Sequence, residues 1–462
     1  MSFPRYPEYK DSGVEWMGEV PGHWELLRVR QVATLNPSKS EVAALPPETE
    51  LSFLPMEAIG EDGRLDLQRT RPILEVSSGY TYFRDGDVTI AKITPCFENG
   101  KGAVMCGLVG GAGFGTTELI VARPKPDETT SEYLHWVFVS QPFRKLGEAS
   151  MYGAGGQKRV PDDFVRDFRL AFPPLREQCA ISAFLDRETA KIDALVAEQQ
   201  NLIALLKEKR QALISHAVTK GLDPGVPLKD SGVAWLGEVP AHWRVCALRR
   251  AIAKIEQGWS PDCHARPAEA GEWGVLKAGC VNGGKYRPAE NKALPSELLP
   301  DESYCVKVGD VLMSRASGSP DLVGSTALVR ETPGRLMLSD KIFRLRLEND
   351  VDPAFFVAML SARALRAQIE QALSGGNGLA NNLPQSNLLA FICALPPEEE
   401  QIAIAARLNR EVDRLDQLMI EAESTINLLM ERRTALISAA VTGKIDVRHF
   451  AAASAEPTPE PA

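Results

Sequence analysis

The 462-residue chain has no run of about 20 apolar residues, so no membrane-spanning helix is expected. Its first ten residues, Met1–Lys10, hold two prolines and no apolar core, so no secretion signal is expected either. The eight cysteines (Cys96, Cys106, Cys179, Cys246, Cys263, Cys280, Cys305 and Cys393) form no Cys-x-x-Cys pair. The six histidines form no His-Glu-x-x-His pattern. These gaps speak against a structural zinc site, a thioredoxin-type motif and a zinc-protease helix. Scattered thiols in a long chain point to a reducing, cytoplasmic setting. Positive charge is also short: 52 Lys and Arg against 61 Asp and Glu give −9, which weighs against a nucleic-acid binder unless the charge is unevenly placed. The rest is ordinary globular composition, 44% apolar and 24% charged, and the length suits about two to four domains.

The chain repeats itself. Residues 9–24 (YKDSGVEWMGEVPGHW) and 228–243 (LKDSGVAWLGEVPAHW) agree at 12 of 16 positions, 219 apart. Residues 212–219 (ALISHAVT) and 435–442 (ALISAAVT) agree at seven of eight, 223 apart, and FPPLREQ at 172–178 answers LPPEEEQ at 395–401. A period near 220 residues is too long for a solenoid and indicates two duplicated units. Their ends match and their middles, 25–171 and 244–394, do not. Asp85–Val88 aligns with Val308–Val311, and Arg159-Val160-Pro161 with Asn382-Leu383-Pro384. Matching frames with divergent middles describe one scaffold carrying two different readers.

The middles read as mixed helix and strand. Phe343, Leu345 and Leu347 alternate with Arg344 and Arg346 as in a half-buried strand; Asp87–Ile93 and Asp310–Arg315 are further strands. Glu132–Phe138 and Pro353–Leu373 read as helices, with glycine-rich turns at 110–115, 153–156 and 375–378. In the frames, a long helix opens after each Pro-Pro pair, roughly 35 to 40 residues or about 55 Å at 1.5 Å per residue. Its seam, in steps of four and three, includes Leu185, Glu188, Ile192, Leu195, Leu202, Leu206 and Lys209 in the first copy. In the second it includes Leu408, Glu411, Leu415, Leu418, Leu429 and Arg432. Parallel pairing opposes like charges at this seam. Antiparallel pairing brings Glu188 to Arg432 and Lys209 to Glu411, and is therefore expected. Trp16, Trp24, Trp235 and Trp243 recur in both frames and are expected to be packing anchors rather than base-stacking platforms.

With Pro-Pro-x-x-Glu-Gln (173–178, 396–401), Ala-Leu-Ile-Ser (212–215, 435–438), Val-Thr-Gly-Lys (441–444; Val218-Thr219-Lys220-Gly221 in the first copy) and the doubled Lys-Asp-Ser-Gly-Val-x-Trp-x-Gly-Glu-Val-Pro-x-His-Trp, the chain resembles the DNA specificity subunit of type I restriction–modification enzymes from about residue 9 to 447. The resemblance implies an α+β, pseudo-two-fold molecule with two target recognition domains joined by two long antiparallel coiled-coil helices. The segments would be 1–24 (N-terminal frame), 25–172 (first recognition domain), 173–243 (central helical frame), 244–394 (second recognition domain), 395–447 (C-terminal helical frame) and 448–462 (disordered tail). It implies that each domain reads one half of a bipartite, asymmetric site in double-stranded DNA. The frames would dock two methyltransferase (modification) subunits, and two restriction subunits would join them. No catalytic site or metal is implied on this chain; S-adenosylmethionine, ATP and Mg²⁺ would belong to the partners.

Charge fits that division. Residues 25–171 hold 17 basic and 20 acidic residues (−3) and 244–394 hold 18 and 16 (+2), leaving −8 for frames and tail. Near-neutral readers would depend on partners for part of their affinity, since phosphate neutralisation supplies much of it. The candidates for DNA contact are Lys92, Lys101, Gln157, Lys158 and Arg159 in the first middle, and Arg315, Ser317, Asn377, Asn381 and Asn382 in the second, being residue types suited to base edges in loops beside strand ends. Two other classes remain. An amino-methyltransferase needs an Asn/Asp-Pro-Pro-aromatic motif, which neither Asn36-Pro37 nor the Pro-Pro pairs supplies. GGAGFGTT (110–117) lacks a Walker lysine and reads as a turn, and Glu98-Asn99-Gly100-Lys101 lacks a partner aspartate. A coiled-coil adaptor without DNA contact would reveal itself by failing to bind DNA in complex with its partners.

Overall fold

The computed structural model describes residues 3–154, 156–374 and 381–451. The chain divides into two compact units, 1–199 with 424–462 and 200–423. The division cuts both long helices at mid-length, so each unit contains the start of one helix and the end of the other.

In the first unit, the middle enters and leaves through one antiparallel ladder, Glu25–Arg28 against Arg169–Phe172. Between them lies a four-stranded antiparallel sheet in the order Ala33–Leu35, Leu119–Pro124, Val88–Ala91, Gly102–Val104. A second sheet of four runs Thr70–Pro72, Glu50–Leu54, Ala112–Gly115, Thr81–Arg84. Part of the expected glycine turn at 110–115 is therefore strand. Gly113 faces Ser52 and Phe83 so closely that a Cβ would meet Phe83 at 2.7 Å and the Ser52 carbonyl at 2.8 Å, so only glycine fits. The second unit repeats the plan. Arg244–Ala247 pairs with Ile392–Leu395. The sheet Ile252–Gln257, Ile342–Leu347, Val311–Ser314, Thr326–Leu328 sits beside a three-stranded one of Asn291–Ala293, Gly274–Leu276 and Leu336–Met337.

Two expectations for this middle need correction. Pro353–Leu373 is two helices, Pro353–Ser361 and Arg363–Ser374, broken where Ala362 is extended (φ −72°, ψ 153°). Arg344 does not face solvent. It is buried, pairing with Glu256 and Asp310 and donating to the carbonyls of Ser303 and Cys305. A buried guanidinium is tolerable only when its donors are matched.

The long helices span Leu175–Lys220 (46 residues) and Glu398–Val441 (44 residues), longer than the seam alone suggested. Each ends at a glycine in the left-handed region, Gly221 (φ 76°) and Gly443 (φ 70°), the usual C-terminal stop. Within the first unit, Asp193 pairs with Arg433 at 2.9 Å and Arg187 donates to the Phe450 carbonyl. Rising numbers thus meet falling ones, and the pairing is antiparallel. Within the second, Arg210 meets Asp416 at 3.1 Å.

The direction matches expectation, but half of the seam does not. Leu185, Ile192, Leu206, Leu408 and Leu415 are buried and Leu429 is half-buried. The alternate positions fall one residue later: Thr189, Val196, Ile203 and Arg210 replace Glu188, Leu195, Leu202 and Lys209. Likewise Val412, Met419 and Arg433 replace Glu411, Leu418 and Arg432. Leu195, Leu202 and Leu418 are 45%, 42% and 41% exposed, and Glu188 binds Arg187 and Lys191 of its own helix. Each helix carries two adjacent apolar stripes, and periodicity in a single helix does not show which one turns inward.

The frame motifs anchor these helices. Glu177 accepts hydrogen bonds from the Trp24 indole (3.0 Å) and the Tyr6 hydroxyl (2.6 Å) and contacts His23 (2.7 Å). Burial and this carboxylate keep the Tyr6 phenol protonated well above its usual range. Glu400 holds Trp243 and His242 in the same way. The next residue staples helix to middle: Gln178 accepts from the Thr130 amide and donates to the Glu128 and Pro173 carbonyls. Gln401 accepts from the Asp352 amide and donates to the Asp350 and Pro396 carbonyls. Trp24 and Trp243 are buried anchors and Trp16 stacks on Phe168, but Trp235 is 46% exposed. Of the expected tail, Arg448–Ala451 is a helical turn tied down by Arg448 on Asp446, and the rest lies outside the described residues.

Candidate nucleic-acid interface

In the first unit the strand Val88–Ala91 ends at Lys92, and the loop before Val160 folds back onto that end. Ile93 and Tyr152 both bridge to Arg159. Five backbone hydrogen bonds fix the junction: Lys92 N to Glu118 O, Thr94 N to Lys158 O, Val160 N to Lys92 O, and the reciprocal pair Tyr152 N to Arg159 O and Arg159 N to Tyr152 O. The second unit contains the first three again, each 223 residues later: Arg315 N to Lys341 O, Ser317 N to Asn381 O and Leu383 N to Arg315 O. The Ala316–Asn382 bridge matches Ile93–Arg159 at the same offset. The structure therefore gathers Lys92, Lys158 and Arg159 at one site, and Arg315, Ser317, Asn381 and Asn382 at its counterpart.

The side chains on this shared backbone differ. Arg159 grips Glu118 through three contacts of 2.7–3.2 Å. The hydrogen bond from Arg159 holds the Glu118 carboxyl below its usual range. The counterpart of Glu118 is Lys341, which pairs with Asp340 at 2.8 Å. The counterpart of Arg159 is Asn382, whose Oδ1 accepts from Arg315 Nε at 2.9 Å. Arg315 also donates to the Asp340 carbonyl and lies 5.8 Å from the Phe343 ring centroid. The acid of one site is thus a base in the other, and the arginine an amide.

Other candidates are already engaged. Lys92 Nζ lies 3.9 Å from Asp162, and Lys101 Nζ donates to the Met56 carbonyl at 2.8 Å. Asn381 Nδ2 donates to the Gly318 carbonyl, and Ser317 Oγ accepts from Ser319 N. Gln157 and Lys158 are exposed with no side-chain partner among the described residues, and Tyr152 beside them is 62% exposed. Asn377 lies outside the described residues. Sequence reading missed Glu118 and Lys341, although the 223-residue offset carried from the frames into the middles would have aligned them.

The chain is 32% identical, over an alignment 501 positions long, to the type I restriction enzyme EcoEI specificity subunit of Escherichia coli, covering 92% of this chain and 83% of that one. The chain belongs to the specificity subunits of type I restriction enzymes. No family model matches it. A chain solved in work on complex assembly and conformational transition of the type I R-M system superposes with a TM-score of 0.72 at 18% identity, covering 91% of this chain and 98% of that one. The HsdS subunit from Thermoanaerobacter tengcongensis gives 0.53 at 19% identity, covering 92% and 98%. This specificity subunit is thus α+β with paired long helices, the fold of those structures. Among the described residues no helix is long and apolar enough to cross a membrane.

Proposed function

We propose that this specificity subunit reads a bipartite, asymmetric site in double-stranded DNA, one half per unit, and that it carries no chemistry of its own. The observation that supports this reading is the junction described above: one backbone, repeated at a fixed offset, bearing Lys92, Glu118, Lys158 and Arg159 in one unit and Arg315, Lys341, Asn381 and Asn382 in the other. A scaffold kept while its side chains change is what two readers of different base sequence require. Lysine and arginine suit guanine, and asparagine and glutamine suit adenine. In the first unit Gln157 and Lys158 are free to do this at once, whereas Arg159 must first leave Glu118.

Exposed leucines support docking of two modification subunits. Leu195 and Leu418 occupy the same repeat position, as do Leu205 (55% exposed) and Leu428 (63% exposed). Exposed leucines that recur at the same repeat positions suit a partner bound twice. Two restriction subunits would complete the enzyme in the cytoplasm, with S-adenosylmethionine, ATP and Mg²⁺ on the partners. Helices of 46 and 44 residues, about 69 and 66 Å at 1.5 Å per residue, would set the unread gap between half-sites.

The test is selection of bound sequences from a random DNA pool by the complex with its modification subunits. Lys158→Ala is expected to relax one half-site and Asn381→Ala the other. If both degrade the same half, the two-reader account fails.

A further inference from the structure

The second unit contains a cavity of about 710 Å³ between the helix Pro353–Ser361 and its share of the two long helices. That lies within the range of about 300–1,000 Å³ typical of ligand sites. Val357, Ala358, Leu408 and Val412 supply apolar wall, Asn409 supplies an amide, and charged side chains including Arg210, Lys285, Arg330 and Asp413 complete the lining.

The first unit shows what is missing there. The helices Ser131–Val139 and Pro353–Ser361 are capped alike: Thr130 accepts from Tyr133 N, Asp352 from Phe355 N, and each cap amide donates to the stapling glutamine. Aligned on these caps, Trp136 corresponds to Ala358. Trp136 is buried and its indole N–H donates to Asp186 at 3.0 Å. Aligned on the stapling glutamines, Asp186 corresponds to Asn409, which lines the cavity. Where the first unit holds an indole the second therefore holds only a methyl group, while the position of the acceptor for the indole N–H is occupied by an amide. Asn409 Oδ1 receives one hydrogen bond from Arg330 and has a second lone pair available.

We propose that this cavity is a binding site for a planar aromatic group bearing a ring N–H, the chemistry of an indole. The ring lies between Ala358, Val357 and Leu408, and its N–H donates to Asn409. The volume exceeds that of one ring and leaves room for an attached substituent.

The full chain is titrated with 5-fluoroindole, N-acetyl-tryptophanamide and N-methylindole, followed by fluorine or proton NMR. Saturable one-to-one binding of the first two is expected at millimolar concentration or below. N-methylindole, lacking the donor, is expected to bind about 2- to 10-fold more weakly, the range of one net hydrogen bond. Ala358→Trp should reduce affinity at least about tenfold by restoring the missing ring. Asn409→Leu keeps the space open and should abolish the difference between the N–H and N-methyl compounds, which decides the matter if Ala358→Trp folds poorly. Tighter binding of the amide assigns the site to a tryptophan on a partner polypeptide, and tighter binding of the bare ring to a free heterocycle. Absence of binding by either compound, or binding that neither variant alters, overturns the proposal.

Discussion

The two units answer the same structural problem with different completeness. In the first, Glu177 is buried and serves Trp24, Tyr6 and His23; in the second, Glu400 is 28% exposed and serves Trp243 and His242. In the first, Trp136 fills the space beside the long helix; in the second, Ala358 leaves it open. Backbone junctions and helix staples are shared, whereas side chains in the middles are not. The comparison shows where duplication constrains the chain: at caps, staples and strand ends, where backbone groups must be satisfied, and not at the surfaces those elements present.

The largest expected difference is at the glutamates. Glu177→Ala leaves a buried indole N–H and a phenol without an acceptor and should cost about 2–6 kcal/mol, at about 1–3 per orphaned group. Glu400→Ala should cost about 1 kcal/mol, because its site is wetter. Chemical denaturation, with hydrogen exchange resolving each unit, checks the order; equal losses would remove the distinction drawn between the frames.

A smaller difference is expected at the recognition loops. Lys158→Ala or Asn381→Ala should each weaken discrimination by about 1–3 kcal/mol at base pairs of its own half-site. Competition binding with singly substituted DNA duplexes gives the position and the size.

The second unit should also be the more acid-sensitive at its central sheet. Burial raises the Glu256 carboxyl, but hydrogen bonds from Lys254 and Arg344 and the charges of Arg344 and Arg346 outweigh it, lowering the group from 4.5 to about 2. A carboxylate depressed on folding adds stability that is fully present above about 4.5 and lost as pH falls toward about 2. Glu256→Gln should flatten the stability profile of the second unit in that window and leave the first unchanged. An unaltered profile would mean that the Arg344 network does not report through this residue.

The least effect is expected at the helix pairs. Asp416→Ala strands Arg210 and the Lys285 beside it and should cost about 1 kcal/mol. Asp193→Ala, at a 48% exposed side chain, should cost about 0.3 kcal/mol, and less in salt. Thermal unfolding at two ionic strengths separates the two.

Much of this was legible in the sequence because repetition marks positions that must be satisfied identically. Trp24 and Glu177, and Trp243 and Glu400, lie in the repeated motifs because each pair closes one hydrogen bond. The antiparallel direction followed from charge, although the residues that pair, Arg433 and Arg210, stand one place beyond those inferred. Leucines at 195, 202 and 418 misled the seam because they are apolar yet exposed, and periodicity within one helix does not show which of two adjacent apolar stripes meets the neighbouring helix. Arg344 read as a solvent-facing residue because alternation reveals side but not depth. Glu118 and Lys341 were overlooked because their correspondence lies in backbone pairing across residues that share no identity.

The central claim, one frame carrying two independent readers, is tested most directly by replacing residues 25–171 with a second copy of 244–394 and selecting bound DNA from a random pool with the modification subunits present. The exchange carries over both strands of the entry ladder except its last pair, in which Phe172 stays and takes the place of Leu395 opposite Arg244. The account predicts a palindromic site made of the second half-site and its inverted repeat. Selection of a site that still contains the original first half would contradict it.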